Sequence, residues 1–551
     1  MTKRIVILLF ILIHHLVDAQ QNSVLSSGDF YKISVENDGI YQLTYSDFQE
    51  LNISINNIDI SSIKLYGNGG GMLPNLNSDF RNSDLQQNAV YIYDDNNNGI
   101  FNSEDYLLFF GQSPHEWAFD SIQNIFDYSE HLYSDKNYYF ITVDESSPSK
   151  RIKEKQILTN FNKTITSFND FQVHETNSEN LIQSGREWYG ERFGVIDKYS
   201  FGFNFPNLVT GHPINIKTSV AARSLNQSSF NIKANNNFVS NVNVAKIVYD
   251  YATPYAFTGF SSNQFISNSD QINIDVEYNY SENNAIGWLN YLQLNARRSL
   301  QITNDNLHFR DIEFLYSNDV GKFIISNANS STQVWDVSDI LNVKKLPTNL
   351  AGNEISFLDS LSNLKTYYAF NNVFKRPELI GKIENQNLHN FGSEIEYVII
   401  THPSFLSAAN RLAEFHKDKD NLTSKVVTPQ EIYNEFSSGK QDASAIRDFF
   451  RMLYNRPNSE FKYGLLFGDG SYDNKSRIPN NTNFIPTFQS EHSTDPTKSY
   501  VTDDYYALLD DSDGDFINDL IDVGLGRLPV KTLSEANDMV NKIEDYYSTD
   551  A

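Results

Sequence analysis

A chain of 551 residues exceeds what one hydrophobic core organises and points to about three domains. Sixty-nine acidic against 43 basic residues give a net charge of -26, which argues against nucleic acid and anionic membrane surfaces as partners and suits calcium or basic peptides. With no Cys there is neither a disulfide nor a thiol nucleophile among these residues, and 39 Phe with 32 Tyr between short Asn- and Ser-rich interruptions indicate a largely β chain.

Lys3 and Arg4 precede an apolar run over residues 5–13, and Val17-Asp18-Ala19 offers small residues ahead of Gln20, the pattern of an export signal over 1–19. The run is too short to span a bilayer, and no later stretch is long enough, so the chain is expected to be exported without a transmembrane segment of its own. From Gly28 to Asn137, alternating runs such as Phe30-Tyr31-Lys32-Ile33-Ser34-Val35 predict a small all-β domain, bounded at 20–137.

Inside that domain lies DDNNNGIFNSED, where Asp94, Asn96, Asn98, Ile100 (through its carbonyl), Asn102 and Asp105 fall on the ligand positions of a twelve-residue Ca²⁺ loop, with Gly99 at the sharp turn. Its last position is Asp rather than the longer Glu, and the flanks 90–93 and 107–110 read as strands. A solvated Asn-rich hairpin turn accounts for the same residues. A later run, Asp510, Asp511, Asp513, Asp515 and Asp522, also alternates, but Gly514 is out of register with such a loop.

Residues 138–392 continue in strands, for example Phe230-Asn231-Ile232-Lys233 and Gln271-Ile272-Asn273-Ile274-Asp275-Val276, and predict a β-sandwich-like domain. At Ser393 the character changes. Tyr397-Val398-Ile399-Ile400-Thr401 is a continuous apolar strand, and Ser404 opens a helix with Phe405, Ala408, Ala409, Leu412 and His416 on one face. Lys425-Val426-Val427-Thr428 is a second strand. Asp442 caps a helix with the stripe Ala445, Ile446, Phe449, Phe450 and Leu453, and 463–467 is a third strand ending in Gly468-Asp469-Gly470. Val523-Gly524-Leu525-Gly526 is a fourth, before a helix capped by Thr532 and Glu535. Strands alternating with helices at this spacing imply a parallel sheet over 393–551. Four strands are few for this class, so the domain is expected to continue beyond Ala551. No zinc-peptidase HExxH, GxSxG elbow or GxxxxGK phosphate loop occurs.

YVIITHPSF from Tyr397, QEIYNEFSSGKQDASAIRDFF from Gln430, YGLLFGDGSYD, YVTDDYYALLDD and DVGLGRLPVKT together resemble the gingipain-type cysteine peptidases. SGREWYGERF from Ser184, GWLNYLQLNARRSL from Gly287, VWDVSD from Val334 and NQNLH from Asn385 resemble the N-terminal half of that family's type IX secretion sortases. The resemblance implies a multidomain, mostly β protein whose C-terminal α/β segment is the first part of a gingipain-like parallel-sheet domain. It also implies an endopeptidase at the outer-membrane-associated cell surface. Its partners would be the C-terminal sorting domains it removes from secreted cargo and the outer-membrane components of type IX secretion. In that family a Cys attacks the scissile carbonyl and a His in a Gly-His-Gly-like segment is its base. Neither motif is present, so both are expected beyond Ala551 and the 551-residue chain alone is expected to be inactive. Thr502-Asp503 matches a Ser-Asp pair of the Arg-specific members whose Asp binds the substrate guanidinium, which makes Asp503 the candidate substrate-binding residue. Asp504 departs from that pattern, and a turn-capping or calcium-binding Asp503 remains open. The rival function from the residues is a secreted, calcium-stabilised β adhesin or scaffold with a non-catalytic peptidase-like segment.

Overall fold

Alternating apolar positions pair into largely antiparallel sheets through the first two thirds of the chain. The computed structural model describes residues 22–54, 57–250, 252–514 and 519–548, and the expected export signal at 1–19 lies outside them. A five-stranded sheet runs in the order Glu378–Ile383, Phe30–Val35, Asn137–Val143, Ile63–Tyr66, Gln87–Asn88. Against it lies a three-stranded sheet of Gly39–Thr44, Tyr106–Gly111 and Tyr91–Tyr93, and Ile33, Leu43, Phe48, Leu65, Phe109 and Ile141 fill the space between. The outermost strand comes from far along the chain, with Phe30 opposite Ile383.

Between Val143 and Glu378 the chain leaves this sheet to build a ten-stranded one, centred on Ser167–Glu175, Ile286–Ser299 and Ile214–Arg223. Two separate four-stranded sheets pack on it. One contains Lys198–Asn204, Gln271–Asn279, Ser228–Ala234 and Asn237–Val244, over a core that includes Phe203, Ile216, Phe230, Ile274 and Leu292. The other contains Lys163–Ile165, Val320–Ser326, Glu354–Ser360 and Asn349–Ala351, over Phe309, Phe323, Phe357 and Tyr367. Phe323 and Phe357 stack with centroids 4.8 Å apart and planes 3° from parallel. Each such fully buried aromatic contributes about 2–3 kcal/mol of transfer free energy. The sandwich-like region is therefore two sandwiches sharing one sheet.

The C-terminal segment is a parallel sheet in the order Ser424–Val427, Tyr397–Thr401, Tyr463–Phe467, Gly524–Leu528. All five residues of Tyr397–Thr401 are buried because helices cover both faces, so the strand reads as an unbroken apolar run. Val398, Ile400 and Leu466 pack under Pro429–Phe436 and Ala443–Tyr454. Ile399, Leu465 and Phe467 pack under Leu406–Asp420 and Leu533–Ser548. Asp442 caps the helix it was expected to, its Oδ1 accepting from the Ser444 amide at 2.8 Å. The helix Pro429–Phe436 is additional to the elements the sequence predicts, although Thr428 and Glu431 form a complete capping box with Pro429 in the first turn.

The first β domain meets the α/β segment through buried cations. Lys440 Nζ donates to the Gly69 carbonyl at 2.7 Å and Asn137 Oδ1 at 3.0 Å, and Lys32 Nζ to Asn434 Oδ1 at 3.0 Å and the Gly439 carbonyl at 3.1 Å. Burial draws Lys32 down to about 7 and Lys440 down to about 8.

Candidate functional site

In an open parallel sheet, ligands gather beyond the carboxyl ends of the strands. Here those ends are Thr401, Val427, Phe467 and Leu528. His402 follows the first; its Nδ1 accepts from the Ser404 amide at 3.3 Å and its ring packs on Phe405 and Phe484, whose burial lowers its pKa. Gly468-Asp469-Gly470 follows the third. A Cβ at Gly470 would lie 2.4 Å from Thr487 Cγ2 and 3.2 Å from Arg527 Nη1, so close approach of the chain explains that glycine. Asp469 turns its carboxylate to Thr482 Oγ1 at 2.5 Å, with Lys531 Nζ at 3.5 Å, and its carbonyl accepts from Phe484 and Ile485, both at 3.1 Å. It holds the loop to the strand end.

Arg527, in the last strand, organises this rim. Its Nε and Nη2 donate to Asp503 Oδ2 and Oδ1, each at 2.7 Å. Nη1 reaches the carbonyls of Gly468 at 3.1 Å and Ile485 at 2.9 Å, and Nη2 that of Pro486 at 3.1 Å. Five contacts match the five N–H donors of a guanidinium. Burial lowers the pKa of Arg527, but the hydrogen bond and charge of Asp503 outweigh it and the net displacement is upward. The Asp503 carboxylate thus has a guanidinium partner within the chain.

The double sandwich forms the neighbouring wall through the motif at Ser184. The Arg186 amide donates to the Ser490 carbonyl at 3.0 Å, the Glu187 amide to Ser493 Oγ at 2.8 Å, and Trp188 stacks on Tyr472 at 5.7 Å. Gly185 has φ +80°, and a Cβ there would fall 2.2 Å from the His492 carbonyl oxygen. Behind this contact a cavity of about 460 Å³ is lined by residues including Glu130, Glu175, Glu187, Trp188 and Tyr291. Burial, with the nearby Glu130 charge, pushes Glu175 up to about 7.

The loop at 94–105 joins two strands. Asp94 accepts from the Asn98 and Gly99 amides at 3.2 and 2.9 Å, Asn96 from Asn98 at 3.1 Å, and Asn98 from Ile100 at 2.7 Å. Buried Asp105 accepts from the Asp95 and Asn102 amides at 2.8 and 2.6 Å. The candidate oxygens of Asp94, Asn96 and Asn98 are thus each engaged by a backbone amide of the loop, and Asn102 Nδ2 donates to the Ile100 carbonyl at 2.7 Å. The candidate donors are all oxygens, the type Ca²⁺ takes, but among the described residues no three His, Cys, Asp or Glu side chains gather as a metal site. In the second acidic run Asp522 Oδ2 accepts from the Leu509 amide at 2.7 Å and that of Asp510 at 3.2 Å.

The family model described as "Peptidase family C25" matches residues 392–551. That segment is thus similar to the peptidases of this family. The crystal structure of dimeric latent PorU from Porphyromonas gingivalis matches with a TM-score of 0.82 at 25% identity, over 96% of this chain and 50% of that one. The chain therefore spans about half the length of the PorU chain, and both the C25 segment and the β domains before it share that fold. A carbohydrate-binding module, CBM36, in complex with calcium and xylotriose is 11% identical over 22% of this chain and 98% of its own, but its TM-score of 0.16 carries no argument. No curated protein matches. The matched family is one of cysteine peptidases, while this sequence contains no Cys. Among the described residues no helix is long and apolar enough to cross a membrane.

Proposed function

We propose that this chain is the N-terminal portion of a cell-surface, gingipain-like cysteine endopeptidase that acts as a type IX secretion sortase and removes C-terminal sorting domains from exported cargo. The observation that carries the reading is the similarity to PorU across 96% of the chain, β domains included, rather than across the C25 segment alone. The parallel sheet supplies a rim braced by Arg527 and closed on one side by the double sandwich. With no thiol among its residues, the chain by itself lacks the cysteine nucleophile this chemistry uses. Cys and its His base are proposed to come from polypeptide outside these 551 residues. The oxygen-lined loop at 94–105 is proposed to hold Ca²⁺ through Asp94, Asn96, Asn98, Ile100, Asn102 and Asp105, stiffening the first β domain.

The test is cleavage of a cargo protein carrying its sorting domain, by the 551-residue chain and by the product of the complete open reading frame. The first is expected to be inert and the second active and blocked by iodoacetamide. A complete product without Cys, or cleavage indifferent to the alkylating agent, would overturn the enzyme reading.

A further inference from the structure

His389 lies in NQNLH, away from the strand-end rim, where the linker 385–390, the helix Pro429–Phe436 and a loop of the first β domain converge. Its Nδ1 is 2.5 Å from Glu435 Oε2 and its Nε2 is 2.9 Å from the Ser83 carbonyl oxygen. The carbonyl can only accept. Glu435 Oε1 also receives the Leu388 amide and Gln386 Nε2, each at 2.9 Å, and Oε2 the His389 amide at 3.3 Å. With three N–H donors already on its two oxygens, Glu435 is the acceptor toward the ring as well. Both ring nitrogens of His389 must therefore carry hydrogen, which makes the side chain an imidazolium. Phe436 stacks on it at 4.9 Å and 10°.

We propose that His389 and Glu435 form a pH-gated clasp, fastening the first β domain to the α/β segment while the imidazole holds two protons and slackening when it loses one. Deprotonation at Nε2 would leave the Ser83 carbonyl without its donor; deprotonation at Nδ1 would set a lone pair against a carboxylate. The other charges facing the clasp are Asp84, held by the Val24 and Leu85 amides at 2.7 Å each, and Arg456, which donates to the His389 carbonyl at 2.6 Å. Asn434 connects the clasp to the buried cations, its Nδ2 donating to Gln386 Oε1 at 3.0 Å while its Oδ1 receives Lys32. Burial lowers the pKa of His389, but the Glu435 hydrogen bond and the charges of Asp84 and Glu435 outweigh it, and the net is above the ordinary 6.5.

The sign follows from linkage. Opening the clasp returns the imidazole to its ordinary value, so between 6.5 and the higher folded-state value each opening releases a proton. The opening constant should rise by up to tenfold per pH unit within that window and be flat below and above it. Lys32 and Lys440, drawn down by burial, give a slope of opposite sign above their own folded values, so the contribution of His389 is isolated by comparison with a variant.

The experiment is amide hydrogen exchange over 386–390 and 432–436 in the whole chain, corrected for intrinsic exchange, from about pH 5.5 to about pH 9. The wild type should show the rise, and His389→Gln and Glu435→Gln should each remove it. A rise that persists unchanged in His389→Gln overturns the proposal. Should that variant not fold, Glu435→Gln decides in its place, and a rise that persists unchanged there overturns the proposal equally.

Discussion

Replacing Arg527 by Met keeps the length and apolar stem of the side chain and removes its five donors. The bidentate pair with Asp503 and the contacts to Gly468, Ile485 and Pro486 are lost together. Arg527 is 11% exposed and Asp503 26%, so the site is mostly but not wholly desolvated. Breaking a buried pair by removing one partner costs about 3–5 kcal/mol, and the partial exposure of Asp503 places the expectation at about 3 kcal/mol. For a segment of this size that corresponds to a fall of about 6–12 °C in the transition of the α/β unit. Scanning calorimetry is the assay, because multidomain unfolding resolves there as separate transitions. Asp503→Asn, which leaves a neutral acceptor, should cost about 1–2 kcal/mol, and the double variant should lose less than the sum. A Met variant within about 2 °C of wild type, or strictly additive losses, would refute the reasoning that Arg527 braces the rim.

Two further outcomes are expected. Ca²⁺ should raise the melting temperature of the first β domain and bind calorimetrically, with Asp94→Asn weakening affinity by about tenfold; a transition indifferent to chelator would count against the loop at 94–105 as an ion site. Gly185→Ala should cost about 1–3 kcal/mol and speed hydrogen exchange over 490–493, because φ +80° and the His492 carbonyl at 2.2 Å leave a Cβ no place; unchanged exchange there would show that the wall does not rest on this contact.

What the sequence made legible was whatever a local pattern encodes. Tyr397–Thr401 and Tyr463–Phe467 announced buried parallel strands because both faces of that sheet are covered. The stripe from Ala445 to Leu453 likewise announced its helix, and each of its five residues is at most 1% exposed. Pro429–Phe436 escaped because a helix of eight residues shows its apolar period only at Ile432, Tyr433 and Phe436, although Thr428-Pro429 with Glu431 signalled its start. The single sandwich became two because a shared ten-stranded sheet is a matter of pairing, which alternation within a strand does not specify. For the same reason Asp503 offered a carboxylate to an incoming guanidinium on paper, while the partner it has in the fold lies 24 residues onward. His389 and Glu435, 46 residues apart, carried no local mark at all.

The pairing of Phe30–Val35 with Glu378–Ile383 bears on how the molecule is made. A ribosome delivering the chain from its amino end releases the first strand more than 300 residues before its outer neighbour, so that edge stays open while both sandwiches emerge. The amino-terminal unit is then the first begun and among the last completed, and premature termination anywhere before residue 378 would leave it with an unprotected, aggregation-prone border.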